Sequence, residues 1–114
     1  MTDATVRLFT YGTLRDPAVQ QHLFGRLVPG RPDSLSGFRR TTVTITDDEV
    51  IAASGTAVHL ILDETGDPAD RVEGTVLHLT PAELDIADRY ETADYKRVSA
   101  RLASGGEAFL YTRA

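Results

Sequence analysis

Residues 71–91 read RVEGTVLHLTPAELDIADRYE, and this stretch decides the fold class. The apolar residues among the first nine predict a strand. Gly74 within that strand indicates a bulge or a close approach of a neighbouring backbone. A helix is predicted immediately afterwards, because Thr80 can cap it and Glu83 completes a capping box. The stretch therefore predicts a strand followed by a helix that runs to about Tyr90.

Further elements are predicted on both sides of this stretch. Before it, a strand is predicted from Thr5 to Thr10, and a helix begins at Asp16-Pro17 and stops at Gly25. Other strands are predicted at Phe38–Thr46, Ala57–Leu62, Tyr95–Ala103 and Glu107–Thr112, and connecting segments at Val28–Asp33, Asp47–Glu49 and Asp63–Asp70. The order β-α-β-β-β-α-β-β has too few helices for a doubly wound parallel sheet. It predicts an α+β fold in one domain over residues 1–114, with two main helices on a mixed, mostly antiparallel sheet or small barrel.

The composition is that of an ordinary globular protein and excludes several classes of function. Of 114 residues, 41% are hydrophobic and 25% charged, and the net charge is −5. This acidic balance argues against nucleic-acid binding and against attachment to an anionic membrane, which both depend on Lys and Arg. The absence of cysteine excludes thiol nucleophiles and cysteine-ligated metals. Since no secretory signal or long apolar run is visible, we expect a cytoplasmic protein.

Glu91 is the residue whose position points most directly to chemistry. On a helical wheel, Leu84, Ala87 and Glu91 return to nearly the same side, whereas Asp88 lies on another side. A carboxyl group beside an apolar stripe is partly desolvated, which raises its pKa toward the range useful for proton transfer. The alternative is that the helix ends before Glu91 and leaves it in water or bound to a neighbouring backbone group.

The segment from Tyr11 to Leu14 is a candidate ligand-binding loop. It lies between a predicted strand and a predicted helix, and Gly12 allows the backbone to approach a ligand closely. Successive N–H groups in such a turn can bind an anion, although a plain strand–helix turn would look the same. The three histidines lack the spacing of a metal site, so no metal is expected.

Four segments, in this order along the chain, resemble motifs of the γ-glutamylcyclotransferase-like family, which includes the AIG2-like proteins and the γ-glutamylamine cyclotransferases. They are Leu8–Leu14 (LFTYGTL, against F-x-Y-G-T-L), Val72–Val76 (against V-x-G), Asp88–Arg97 (against L-D-x-Y-E…Y-x-R) and Ala108–Tyr111 (against A-x-x-Y). Two positions depart from the family pattern. Ala87 stands where leucine is usual, and Thr92 stands where glycine is common.

The resemblance implies a barrel-like mixed fold with a cavity, and it assigns roles to particular residues. Glu91 matches the catalytic glutamate of the family. The expected substrate-binding residues are Tyr11, Gly12, Thr13 and Leu14 in the loop, with Tyr95 and Tyr111 at aromatic positions near the cavity.

The resemblance also implies a reaction. The α-amine of a γ-glutamyl amine or amide would attack its own γ-carbonyl and release 5-oxoproline and a free amine. No cofactor is expected, because the reacting groups are tethered, and the expected partner is a small γ-glutamyl molecule. The alternatives are a protein that binds a small metabolite without turning it over, and a structural or interaction protein. The identity of the leaving amine, and whether the loop holds the α-carboxylate or the oxyanion, stay open.

Overall fold

The computed structural model describes residues 6–55, 57–91 and 94–114. In this part of the chain there are seven strands, three α-helices and one 3₁₀ turn at Thr13–Arg15. The strands are β1 (Val6–Thr10), β2 (Gly30–Ser36), β3 (Phe38–Thr44), β4 (Val58–Glu64), β5 (Arg71–Leu79), β6 (Tyr95–Arg101) and β7 (Glu107–Arg113). The helices are α1 (Pro17–Phe24), α2 (Asp48–Ser54) and α3 (Pro81–Tyr90).

The strands form two sheets, and the predicted α+β class with a mixed sheet is confirmed. The five-stranded sheet has the order β2-β5-β1-β7-β6, while β3 and β4 pair separately. The β1–β7 pair is parallel, and the other pairs are antiparallel. The expected barrel is wrong, because within the described residues β2 and β6 remain open edges of the larger sheet. The chain changes sheets at Gly37, whose φ of 84° suits glycine, and the next strand begins the separate β3–β4 pair.

Two elements were not predicted, each for a local reason. The segment Val28–Asp33 was expected to be a connection because of its prolines, but most of it belongs to β2. Pro32 is tolerated because β2 is an edge strand, where a missing N–H need not interrupt the ladder. The segment Asp47–Glu49 was expected to be a turn, but it starts α2. The Asp47 carboxylate caps this helix by accepting hydrogen bonds from the N–H groups of Glu49 (2.9 Å) and Val50 (3.3 Å).

The strand β1 lies at the centre of the five-stranded sheet and contributes to both halves of the core. Leu8 packs into one buried cluster, which includes residues of α1 and α3, and Phe9 packs into the other, which includes residues of β3 and β4. Both side chains are at most 1% exposed. A strand fixed on both faces holds the segment that follows it, Tyr11–Leu14, in a defined place.

No helix among the described residues has the length and apolar character needed to cross a membrane.

The strongest local signals of the sequence are confirmed. Both reciprocal hydrogen bonds of the Thr80–Glu83 capping box are present at the start of α3. Asp16 caps α1 through the Ala18 N–H, and Gly25 ends it with a φ of 68°. The predicted close approach at Gly74 is also present, since a Cβ atom there would lie 2.5 Å from the Thr10 carbonyl oxygen.

Glu83 also links α3 to the segment after α1. Its two carboxylate oxygens accept hydrogen bonds from Arg26 Nε and Nη2, both at 2.7 Å, and Oε1 accepts one from the Thr80 N–H at 2.9 Å. The Arg26 guanidinium, followed by the Thr80 backbone, holds the pKa of Glu83 below its usual value. Charge-assisted bidentate pairs with one buried partner are stronger than ordinary surface ion pairs.

We expect Glu83→Gln to lower the free energy of unfolding by about 1–2 kcal/mol at neutral pH. The folded pKa is lowered, so the contribution of the carboxylate is present above the ordinary glutamate pKa and is lost as pH falls through the folded pKa. Urea unfolding at about pH 7 measures the loss of stability, and unfolding at about pH 3 shows whether that loss disappears in acid. The matched control is Glu73→Gln, which breaks an ion pair whose two side chains are 60% and 74% exposed. Equal effects of the two substitutions at neutral pH would contradict the prediction.

Candidate active site

A small cavity lies at the end of β1, where the two sheets and the end of α3 meet. Its lining consists of Phe9, Thr10, Tyr11, Gly12, Thr13, Leu14, His59, Leu60, Glu91, Tyr95 and Tyr111. The cavity volume is about 20 Å³, which is room for about one water molecule. The structure therefore brings together the seven site residues expected from the sequence, although they come from four separate segments of the chain.

Glu91 is the residue that follows the last turn of α3. Its N–H still donates to the Ala87 carbonyl at 3.0 Å, but its φ of −71° and ψ of 132° turn the chain out of the helix. The helix thus ends before Glu91, as in one of the two alternatives, yet the side chain is partly buried and lines the cavity. Two residues depart from the family pattern. Ala87 is fully buried in the core, and Thr92 lies outside the described residues.

The Glu91 carboxyl group has an unusual proton affinity. Burial, followed by the nearby Asp88 carboxylate, raises its pKa from 4.5 to about 8. Across residues 6–55, 57–91 and 94–114, no group donates a hydrogen bond to this carboxyl group. A carboxyl group with a pKa near neutrality can both accept and release a proton under ordinary conditions.

Three tyrosine hydroxyls line or border the cavity, and each donates its proton away from Glu91. Tyr11 donates to the Tyr111 carbonyl (2.6 Å), Tyr95 to the Leu60 carbonyl (2.8 Å) and Tyr111 to the Asp88 carboxylate (2.6 Å). Burial, and then the nearby negative charges that include Glu91, raise the pKa of all three hydroxyls above its usual value, so they stay neutral. With their protons directed elsewhere, these phenols do not stabilise an ionised Glu91, which agrees with its raised pKa.

The loop across from Glu91 is held on both sides. Thr13 Oγ1 and the Tyr90 hydroxyl are 3.0 Å apart, and the buried Gln20 side chain donates to the Leu14 carbonyl at 3.0 Å. Arg15 donates to the Tyr11 carbonyl, also at 3.0 Å. These contacts fix the position of the backbone before any ligand is bound.

The same loop presents main-chain donors. Thr13 and Leu14 form the first part of the 3₁₀ turn, so their N–H groups have no carbonyl partner within it, and no other described residue accepts from them. None of the described residues lining the cavity is Lys or Arg. A negatively charged or carbonyl group in this cavity would therefore depend on main-chain N–H groups.

Four lining residues were not predicted as site residues, namely Phe9, Thr10, His59 and Leu60, and of these His59 has an ionisable side chain. Its side chain is buried, and its Nε2 lies 2.9 Å from Ser54 Oγ. Ser54 Oγ also lies 2.8 Å from the Val50 carbonyl oxygen. His59 belongs to β4 in the smaller sheet, and nothing in its sequence spacing indicates that β4 would reach the end of β1. No group of three His, Asp or Glu side chains suited to a metal ion is found in the described ranges.

Comparisons with known proteins identify a family and a shared fold. The family model described as "Gamma-glutamyl cyclotransferase, AIG2-like" matches residues 8–114. A search of the curated proteins finds no significant match. Among solved structures, the solution structures of two Arabidopsis thaliana proteins match with TM-scores of 0.69 and 0.71 and identities of 22% and 20%. A structure described as "Gamma-glutamyl cyclotransferase" matches with a TM-score of 0.69 and 14% identity.

The structural matches cover nearly all of this chain but only part of the matched chains. They cover 100%, 95% and 96% of this chain, in the same order. This chain in turn spans 64%, 68% and 66% of the three matched chains. At these low identities, the structural likeness shows the shared fold alone.

Proposed function

This chain belongs to the γ-glutamyl cyclotransferase, AIG2-like family, and from this premise we propose that it is a cyclotransferase for γ-glutamyl amines or amides. The proposed reaction releases 5-oxoproline and a free amine. The observation that supports it most directly is a carboxyl group, Glu91, with a pKa of about 8 in a cavity that also contains the Tyr11–Leu14 loop. No cofactor takes part in the proposed reaction.

Glu91 carries both proton transfers in this proposal. The ionised carboxylate accepts a proton from the α-ammonium group of the substrate. The free amine then attacks the γ-carbonyl carbon, forming the new C–N bond and a tetrahedral oxyanion. As the oxyanion collapses, the protonated Glu91 delivers its proton to the departing nitrogen, and the original γ C–N bond breaks. The ring nitrogen, which keeps one extra proton after the attack, gives it to the released amine, which leaves as an ammonium ion. Glu91 ends in its starting form, because it has received one proton and given one away.

The loop and the tyrosines supply binding and orientation. The N–H groups of Thr13 and Leu14 either hold the α-carboxylate of the substrate or stabilise the oxyanion that forms at the γ-carbon. The neutral rings of Tyr11, Tyr95 and Tyr111 line the cavity beside Glu91 and limit the conformations of the substrate chain. Since a γ-glutamyl chain needs more room than one water molecule, its binding requires side chains of the cavity wall to move while the hydrogen-bonded loop stays in place.

The proposal is tested by incubating the protein with γ-glutamyl derivatives of an α-amino acid, of the lysine side chain and of a polyamine. Mass spectrometry measures the 5-oxoproline released, with and without EDTA. The corresponding α-glutamyl isomers are matched controls, because their glutamyl amine cannot close a five-membered ring on the linked carbonyl. Release from at least one γ-glutamyl compound, unaffected by EDTA, is the expected result. Binding without release would favour the metabolite-binding alternative, and the absence of both would refute the proposal.

A further inference from the structure

We propose that Asp88 is a positioning residue for this reaction, because it holds Tyr111 in the cavity wall and places a fixed negative charge one helical turn before Glu91. This inference rests on the proposed function. Asp88 is not among the residues that line the cavity. It acts on the substrate through two residues that do, which are Tyr111 and Glu91.

The Asp88 carboxylate is held by hydrogen bonds to both of its oxygens. Oδ1 accepts the proton of the Tyr111 hydroxyl at 2.6 Å, and Oδ2 accepts from Arg97 Nη1 at 2.7 Å. Arg97 is fixed in turn, since its guanidinium carbon lies 4.8 Å from the centre of the Phe109 ring. The carboxylate is therefore tied to β6 through Arg97 and to β7 through Tyr111.

Tyr111 extends this connection to the candidate ligand-binding loop. Its carbonyl oxygen accepts the hydroxyl proton of Tyr11 at 2.6 Å, and Tyr11 is the first residue of that loop. An unbroken series of contacts thus runs from Arg97 through Asp88 and Tyr111 to Tyr11. Tyr111 connects the two, because its side chain contacts Asp88 and its main chain contacts Tyr11.

The charge of Asp88 acts on Glu91 directly. The groups facing Glu91 are the hydroxyls of Tyr11 (β1), Tyr90 (α3), Tyr95 (β6) and Tyr111 (β7), with His59 of β4 on the same cavity wall. Among the described residues, the Asp88 carboxylate is the charged group that raises the pKa of Glu91, and burial is the larger cause. Glu91 follows α3 directly and its N–H still bonds to the Ala87 carbonyl, so Asp88 and Glu91 keep the spacing of residues three apart on a helix, which are neighbours.

A purely structural role explains less. The Arg97 and Asp88 side chains are 34% and 35% exposed, and ion pairs that exposed contribute about 0–1 kcal/mol to stability. The ion pair with Arg97 alone therefore contributes little to the stability of the fold.

The test substitutes Asp88→Asn, which keeps the shape and an oxygen for the Tyr111 hydroxyl but removes the charge. We expect the titration of Glu91, followed by NMR of its side-chain carboxyl carbon, to move to lower pH by about one unit. The acidic limb of the kcat/KM profile should move by the same amount. Asp85→Asn is the matched control, because Asp85 is exposed on the same helix and loses the same charge. It should leave both curves in place.

A second variant keeps the inference testable if Asp88→Asn does not fold. Arg97→Gln leaves Asp88 intact but removes the cation that offsets its charge, so it should move the Glu91 titration in the opposite direction, to higher pH. An unchanged Glu91 titration in the folded Asp88 or Arg97 variants would overturn the inference, whatever the activity. If the wild-type protein releases no 5-oxoproline, the proposed function fails, while the NMR titration still decides whether Asp88 controls the proton on Glu91.

Discussion

Glu91→Gln is expected to lower kcat for 5-oxoproline release by about 10³-fold, because one general acid–base residue typically contributes roughly 10²–10⁴-fold. Glutamine has the size of glutamate but cannot accept the ammonium proton or deliver one to the leaving nitrogen. Substrate binding should persist, since the donors of the Tyr11–Leu14 loop are untouched. Calorimetric titration measures binding, and the release of 5-oxoproline measures turnover. A matched control, Glu107→Gln, alters an exposed glutamate in β7 and should leave both values unchanged.

The pH dependence of 5-oxoproline release by the wild-type protein gives an independent check. Proton acceptance requires the ionised form of Glu91, so kcat/KM should rise with pH and level off above about 8. The residual kcat/KM of Glu91→Gln should not show this rise with pH. A variant that keeps full activity, or a wild-type profile whose limb lies near the ordinary glutamate pKa of 4.5, would remove Glu91 from the mechanism.

The same substitution should increase stability, which separates a loss of catalysis from a loss of folding. The Glu91 pKa is raised from 4.5 to about 8 in the folded protein, so between these values the folded state holds a proton that the unfolded state has released. The free energy of unfolding should therefore fall as pH rises across this interval, by at most about 1.4 kcal/mol per pH unit. The free energy of unfolding of Glu91→Gln should not fall in this way. Urea unfolding at several pH values should therefore show that the variant is more stable than the wild type above about pH 8.

Gly74→Ala is expected to lower the free energy of unfolding by about 3 kcal/mol or more, the upper range for an overpacked core. The added Cβ atom would lie 2.5 Å from the Thr10 carbonyl oxygen and 2.6 Å from Cζ of Phe9. Neither can give way easily, because Thr10 belongs to the central strand and the Phe9 side chain is 1% exposed. For a domain of ordinary stability, about 5–15 kcal/mol, this loss is large.

The matched control for this prediction is Gly30→Ala, at another strand glycine. There the Cβ atom would lie 2.6 Å from Thr75 Cγ2 and 3.2 Å from the Val76 carbonyl oxygen, and Gly30 starts an edge strand. The start of an edge strand can shift more easily than the central strand, so the loss should be smaller, near 1 kcal/mol, the low end for overpacking. Equal losses for Gly74→Ala and Gly30→Ala, measured by urea unfolding, would show that the clash with β1 is not what makes Gly74 necessary.

Elements with strong local signals could be predicted from the sequence. The capping box at Thr80, the Asp16-Pro17 helix start and Gly25 each specify a backbone conformation through contacts within a few residues, and the structure has all three. The segments missed were those in which tertiary context overrides local preference. Pro32 reads as a loop residue, yet it lies in a strand because the edge of the sheet does not need its N–H.

The site was predicted in part because its residues carry a recognisable pattern, and the rest depended on how the sheets meet. The resemblance and the helical wheel indicated Glu91 and the Tyr11–Leu14 loop, which do line one cavity. His59 could not be predicted, because its approach depends on packing between two sheets. Asp88 was placed on another side of the wheel, and its effect depends on Tyr111 and Arg97, more than eight residues away in the chain.

The parallel pairing of β1 with β7 has a consequence for when the protein folds during its synthesis on the ribosome. The hydrogen bond from Tyr11 to Tyr111 joins residues 100 positions apart, so the N-terminal half of the nascent chain is made long before its partner strand exists. Contacts of such sequence separation are formed slowly, after local structure is in place. Catalytic competence should consequently be among the last properties to appear during synthesis or refolding, well after the helical signal has developed.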